Sequence, residues 1–178
     1  RDEILGPERI AEGDALIAVA SSGLHSNGYS LVRHVLLEQA GWTLDRHVDE
    51  LGRTVGEELL EPTIVYAADL LALAHHGEVH AMCHVTGGGL ANNLTRVMPS
   101  HLTATIERST WSPAPIFRLV QEVGAVSQSD IEETLNMGVG MVIALPDDQV
   151  PEALEFLAGR GLTAWQCGTV ASRESSDV

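Results

Sequence analysis

The sequence predicts one globular domain of the α/β or α+β class, on three observations. The chain has 178 residues, 44% of them hydrophobic, with 17 glycines, enough for one domain with its own core. Short unbroken apolar runs of strand length alternate with amphipathic runs of helical length. The last such set, Met141–Val170, reads β-α-β, half of a ferredoxin-like unit. No repeat, low-complexity linker or composition break divides the chain.

Gly13-Asp14 reads as a turn, and Ala15–Ala20 as a buried strand too short and unbroken for a surface helix. Tyr29–Ala40 places Leu31, Val32, Val35 and Leu36 on one helical stripe, which Gly41 ends. Thr43–Leu60 is mixed and charged, a loop with a helical turn. Pro62 suits the first turn of a helix running to about His76, with Gly77 as its C-cap. Val79–Val85 is a strand, Thr86–Gly89 a glycine loop and Leu90–Met98 a helix. Leu102–Glu107 alternates as a strand. Pro113–Val123 is a helix ending at Gly124, and Asp130–Leu135 a short helix with Ser129 as N-cap. Gly140–Leu145 is a strand, Asp147–Gly159 a helix and Leu162–Val170 a last strand.

The formal net charge of −15 argues against nucleic-acid binding, which needs a basic surface. No apolar run approaches the roughly 20 residues that span a bilayer. Arg1-Asp2-Glu3 is no signal peptide, and the acidity suits a soluble cytoplasmic protein. The missing initial Met suggests a fragment. All ten basic residues are arginines. Without lysine there is no P-loop and no Schiff-base chemistry. A bound phosphate must therefore meet backbone N–H groups, Arg, His, hydroxyls or a metal.

Three loops carry chemistry. Ser21–Tyr29 follows a strand and opens a helix, with three serine hydroxyls, an imidazole, an amide and two glycines. Such a loop can hold a polar ligand against a helix N-terminus. His25 serves there equally as an acid/base or phosphate partner or as a loop brace. Thr86-Gly87-Gly88-Gly89 has the same setting, and its glycines let backbone N–H groups approach a ligand. Alone it fits a phosphate cradle or a flexible turn. Asn136–Met141, with Gly138 and Gly140, reads alone as a tight turn or bulge before a strand. His84 either supports the glycine loop or touches a ligand, while His75, His76 and His80 are solvated positions. Cys83 and Cys167 read as buried free thiols. No Gly-x-Ser-x-Gly elbow makes Ser21 or Ser22 a nucleophile. No metal-ligand spacing is present. Trp42, Trp111 and Trp165 read as core or interface anchors.

Taken in order, five segments resemble the aminoimidazole ribonucleotide synthetase family, also called the phosphoribosylformylglycinamidine cyclo-ligases. They are Gly13-Asp14, Ser21–Arg33, Leu60-Glu61-Pro62-Thr63, Thr86–Leu90 and Asn136–Val142. The resemblance runs from about Gly13 to Val170 and covers only that family's C-terminal domain. It implies an α+β fold: a three-layer α/β/α domain with a mixed, largely antiparallel sheet, partly ferredoxin-like. It divides the chain into a linker remnant (1–12), a C-terminal substrate-binding domain (13–170) and a polar tail (171–178). Leu24, Val85, Leu135 and Met137 stand where the family usually has Pro, Ile, Phe and Cys; these exchanges touch only local loop shape.

The resemblance implies a purine-biosynthesis ligase that closes formylglycinamidine ribonucleotide to aminoimidazole ribonucleotide, hydrolysing ATP to ADP and phosphate. The formyl amide oxygen is phosphorylated first, because an unmodified amide oxygen is a poor leaving group. Ser21, His25 and Asn27 are the implied catalytic residues. Ser22, Ser26, Thr63, Thr86, Gly87, Gly88, Gly89, Asn136 and Gly138 are the implied substrate- and phosphate-binding residues, and none is assigned to a metal. ATP and Mg²⁺ are expected mainly on an N-terminal domain, which this chain lacks and which is also the implied partner. The full-length enzyme is expected to be a homodimer, and this chain alone to be inactive. Two rivals stay open: another member of the same ATP-dependent superfamily, such as a formylglycinamidine ribonucleotide synthetase or selenophosphate synthetase, and a non-catalytic phosphate-binding module. Assays with each substrate separate the first. Binding without restored activity marks the second.

Overall fold

The computed structural model describes residues 5–173. The first strand, β1 (Ala15–Ala20), is buried from Ala15 to Val19, as its unbroken apolar run requires. It leads into α1 (Tyr29–Arg33), which continues in π-helical geometry over His34–Gln39. Gly41 (φ 65°) turns the chain out. The charged stretch that follows is more ordered than its composition suggests. It forms a short hairpin, β2 (His47–Val48) and β3 (Arg53–Thr54), then α2 (Val55–Leu59). Thr54 and Glu57 cap α2 reciprocally: each side chain accepts the other residue's backbone N–H, at 3.2 and 2.8 Å.

The remaining elements are α3 (Ala67–His76), β4 (Ala81–His84), α4 (Gly89–Val97), β5 (Leu102–Ile106), α5 (Pro115–Gly124), α6 (Gln128–Thr134), β6 (Val139–Leu145), α7 (Val150–Gly159) and β7 (Ala164–Ser172). The helix α3 starts at Ala67, not near Pro62. Pro62–Tyr66 stays out of the helix, with the Pro62 carbonyl and the Ile64 N–H both bonded to the first loop. The cap of α6 is Ser127, whose Oγ accepts the Asp130 N–H, rather than Ser129. The strand β7 reaches Ser172, into the expected polar tail, of which residues 174–178 lie outside the described residues.

Five strands form one sheet in the order β4-β6-β1-β7-β5. The expected mixed, largely antiparallel sheet is present, and every neighbouring pair in it is antiparallel. The reason is topological. Strands β6 and β7 run the same way and are joined by α7, but β1 lies between them. This is the split β-α-β arrangement that the ferredoxin-like reading of Met141–Val170 anticipates.

Alternation along β1 makes the layers. Ala15, Ile17 and Val19 pack with Leu70 and Leu73 of α3 and with Ala153 and Leu157 of α7. Leu16 and Ala18 pack on the other face with Leu90 and Leu94 of α4 and with both cysteines. Burial pushes the Cys83 thiol up to about 11 and the Cys167 thiol up to about 12, so both stay protonated and inert. A third cluster lies in the helices: Val32, Val35 and Leu36 meet Ile116, Phe117 and Val120 of α5 and Ile131 of α6. Truncating Phe117 to Ala in such a setting costs about 3–5 kcal/mol. Among the described residues, no helix is long and apolar enough to cross a membrane.

Candidate functional site

The register of the sheet brings the three loops to one end. Ala20, where β1 ends, pairs with Val139, where β6 begins, and His84, where β4 ends, pairs with Met141. The loops that leave or enter these residues are therefore neighbours, whatever their separation in sequence.

The first and third loops are bonded together. Asn136, 1% exposed, is the clamp. Its Nδ2 donates to the Gly23 carbonyl (2.8 Å), and its Oδ1 accepts the Gly138 N–H (2.8 Å). Ser21 Oγ lies 2.9 Å from the Gly23 carbonyl and 3.1 Å from Asn136 Oδ1, so its one proton serves one of two acceptors. The Ser21 N–H donates to the Gly138 carbonyl (2.9 Å).

The first loop also holds the Pro62–Ile64 segment. Ser22 Oγ donates to the Pro62 carbonyl (2.7 Å). His25 Nε2 accepts the N–H groups of Ser22 (3.0 Å) and Ile64 (3.4 Å). Thr63 lies between these anchors and is exposed. His25 is only 5% exposed, and burial first, then the nearby His84, lowers its pKa below 6.5. With Nε2 accepting, the neutral ring carries its proton on Nδ1, which is buried and has no partner among the described residues. Asn27 Nδ2 donates to the His25 carbonyl (3.0 Å), while Ser26 is exposed. His25 (φ 52°), Ser26 (φ 58°) and Met137 (φ 51°) are three of the four non-glycine residues with positive φ among those described. Such strain persists only where surroundings enforce it, and it clusters at functional sites.

The glycine loop is built differently. Asn93, buried on α4, holds Nδ2 within reach of the carbonyls of Thr86 (3.2 Å), Gly87 (3.4 Å) and Gly89 (2.6 Å), which share its two protons. Thr86 Oγ1 donates to Asn93 Oδ1 (3.2 Å). With these carbonyls tied down, the N–H groups of Gly87 and Gly88 face no acceptor among the described residues. Gly89 (φ 69°) lies so close to α6 that an added Cβ would sit 1.8 Å from the Glu132 carbonyl oxygen.

Residues 11–178 match the family described as AIR synthase related protein, C-terminal domain. The chain belongs to that family. It is 58% identical over 167 residues to a Streptomyces fradiae protein named provisionally as a phosphoribosylformylglycinamidine cyclo-ligase, covering 94% of this chain and 92% of that one. It is 44% identical over 178 residues to the phosphoribosylformylglycinamidine cyclo-ligase of Shouchella clausii, covering all of this chain but 52% of the relative. The chain thus spans about half the length of that enzyme. Its fold is similar to half of a thiamine-monophosphate kinase from Stenotrophomonas maltophilia (TM-score 0.64, 18% identity), covering 95% of this chain and 51% of the kinase.

Three residues of this AIR synthase-related domain escape sequence reasoning. Asn93 is visible in hindsight as an amide on the inward face of a helix, four residues after Gly89. Arg96, exposed on the next turn, is 3.3 Å from Asn93 Oδ1 and brings a cation beside the glycine loop. Tyr66 donates its hydroxyl to the Ala20 carbonyl (2.7 Å) and stands between the rings of His25 (5.8 Å) and His84 (6.5 Å). Chemically, the cluster offers uncommitted N–H groups, hydroxyls, amides and a guanidinium. These suit an anionic oxygen ligand. Among the described residues, no group of three or more His, Cys, Asp or Glu side chains is arranged to hold a metal ion.

Proposed function

We propose that this chain is the substrate-binding C-terminal domain of an ATP-dependent cyclo-ligase that converts formylglycinamidine ribonucleotide to aminoimidazole ribonucleotide. The observation that carries this reading is the high identity, across nearly the whole chain, to relatives named for that activity. ATP and Mg²⁺ are held mainly by a separate N-terminal domain, in a cytoplasmic homodimer. The donor set of this chain, backbone N–H groups, hydroxyls and a guanidinium, suits phosphate rather than Mg²⁺.

In this reading the formyl amide oxygen receives the phosphoryl group of ATP. A nitrogen of the same molecule then attacks that carbon, the imidazole ring closes, and phosphate leaves with the oxygen. This chain contributes position and charge neutralisation. The N–H groups of Gly87 and Gly88, with Thr86 and Arg96, hold a phosphate. Ser21, Ser22, Ser26, Asn27 and Thr63 line the side towards the reacting end. Asn136 and Gly138 keep that loop in register. His25 fixes the backbone of Ser22 and Ile64 through Nε2, which leaves Nδ1–H as the proton it can present.

The test joins the N-terminal half of the Shouchella clausii cyclo-ligase to this chain. The joined protein should release ADP only when formylglycinamidine ribonucleotide is present, and the chain alone should not. A joined protein that binds the substrate without turning it over would reduce the domain to a binding module.

A further inference from the structure

A large cavity lies outside the three loops. It is an open groove of about 810 Å³ between α3, β4 and the segment before β1. Leu5, Val65, Leu70 and Leu71 are among its walls. Val65 is 79% exposed and Leu71 60% exposed, although both are large apolar residues. Large apolar side chains left exposed along one groove suit contact with another body.

We propose that the α3–β4 groove seats the N-terminal half that the longer cyclo-ligase relative carries. The proposal rests on the function given above, and three observations choose this occupant. First, the Shouchella clausii enzyme is about twice as long as this chain, and the matched family is a C-terminal domain, so a body of similar size precedes it there. Second, Leu5 lies on the groove wall and packs against the α3–α7 core, so a chain arriving from such a body enters beside the groove. Third, the groove reaches the loop cluster: Tyr66 and His84 are on its wall, and the Tyr66 ring meets that of His25 in the first loop. A domain seated on α3 would thus overhang the glycine loop and the Ser21–Asn27 loop, where its ATP must be delivered. Domains within one chain commonly bury about 600–1,500 Å² against each other.

The native cysteines make a direct test possible, because both are buried and remain protonated. Val65→Cys and Leu71→Cys are made in the chain alone and in the joined protein, with Leu44→Cys as control, 55% exposed and away from the groove. N-ethylmaleimide should label all three quickly in the lone chain. Joining should slow labelling at 65 and 71 about tenfold or more and leave 44 unchanged, since thiol reaction follows access. Equal rates at 65 and 71 in both proteins would overturn the proposal. So would protection in the lone chain that grows with concentration, which assigns the groove to a second copy. Equal slowing at position 44 would also overturn it. The same substitutions at the aligned positions of the natural Shouchella enzyme give a reading independent of the joined protein's folding. Protection without ADP release keeps the docking face and overturns the activity. ADP release with both positions open does the reverse.

Discussion

The loops Ser21–Tyr29 and Thr86–Gly89 occupy the same setting, between a strand and a helix opened by a left-handed glycine, yet they are built oppositely. In the first, the polar side chains are consumed by neighbours: Ser21 by Gly23 and Asn136, Ser22 by Pro62, and His25 by two backbone N–H groups. In the second, a single buried amide, Asn93, takes the carbonyls and leaves N–H groups free. The two loops thus offer a ligand different things. The first spends Ser21, Ser22 and His25 Nε2 on holding its own backbone, while the second has its carbonyls occupied from behind and the N–H groups of Gly87 and Gly88 open.

Four measurements can break or sharpen this contrast. The largest effect is expected at the back of the glycine loop. Gly89→Ala forces a Cβ into the Glu132 carbonyl at positive φ, and should cost about 3 kcal/mol or more, read from the urea midpoint. A wild-type midpoint would show that α6 yields easily and that the loop is not held from behind. Next comes the clamp of the first loop. Asn136→Ala leaves the Gly138 N–H unpaired and the Gly23 carbonyl with Ser21 Oγ as its one remaining donor, and should cost about 1–3 kcal/mol in the same assay.

The third effect is confined to low pH. Burial holds His25 below its ordinary 6.5, so the unfolded chain takes up the proton first. Its contribution to stability is complete above pH 6.5 and is lost as the pH falls below it. His25→Gln should therefore flatten the decline in thermal midpoint on the acid side of 6.5. An unchanged pH profile would separate His25 from the loop's stability. The smallest effect is expected at Gly87, where an added Cβ meets nothing within 4 Å. Gly87→Ala should shift stability by less than about 0.5 kcal/mol. If the reading of its N–H as a phosphate donor holds, the joined protein should still show a raised KM for the ribonucleotide.

Much of the fold is legible in the sequence, because burial writes itself into local pattern. Every expected strand is present, and the split β-α-β at the C-terminus follows from two apolar runs around one helix. The early start expected for α3 fails for a non-local reason: the residues after Pro62 are bonded to a loop some forty positions earlier (|i−j| of 40 and 39). The hairpin and capping box within 43–60 lie in a charged stretch without apolar periodicity, where the stabilising contacts are side chain to backbone. The third, helical core is invisible for a similar reason, since each of its helices shows an apolar stripe but not what the stripe meets.

By itself the sequence determined which segments form the strands of the five-stranded sheet, where the chain must turn between them, and that any phosphate here is met without lysine. These follow from apolar periodicity, glycine placement and composition, which are local properties. Only the tertiary structure decided which polar residues brace and which remain free. Asn136 and Gly23 are 113 positions apart and become hydrogen-bonded partners solely through the β1–β6 register. A hydrogen bond is satisfied by proximity in space, and no spacing in the chain announces it.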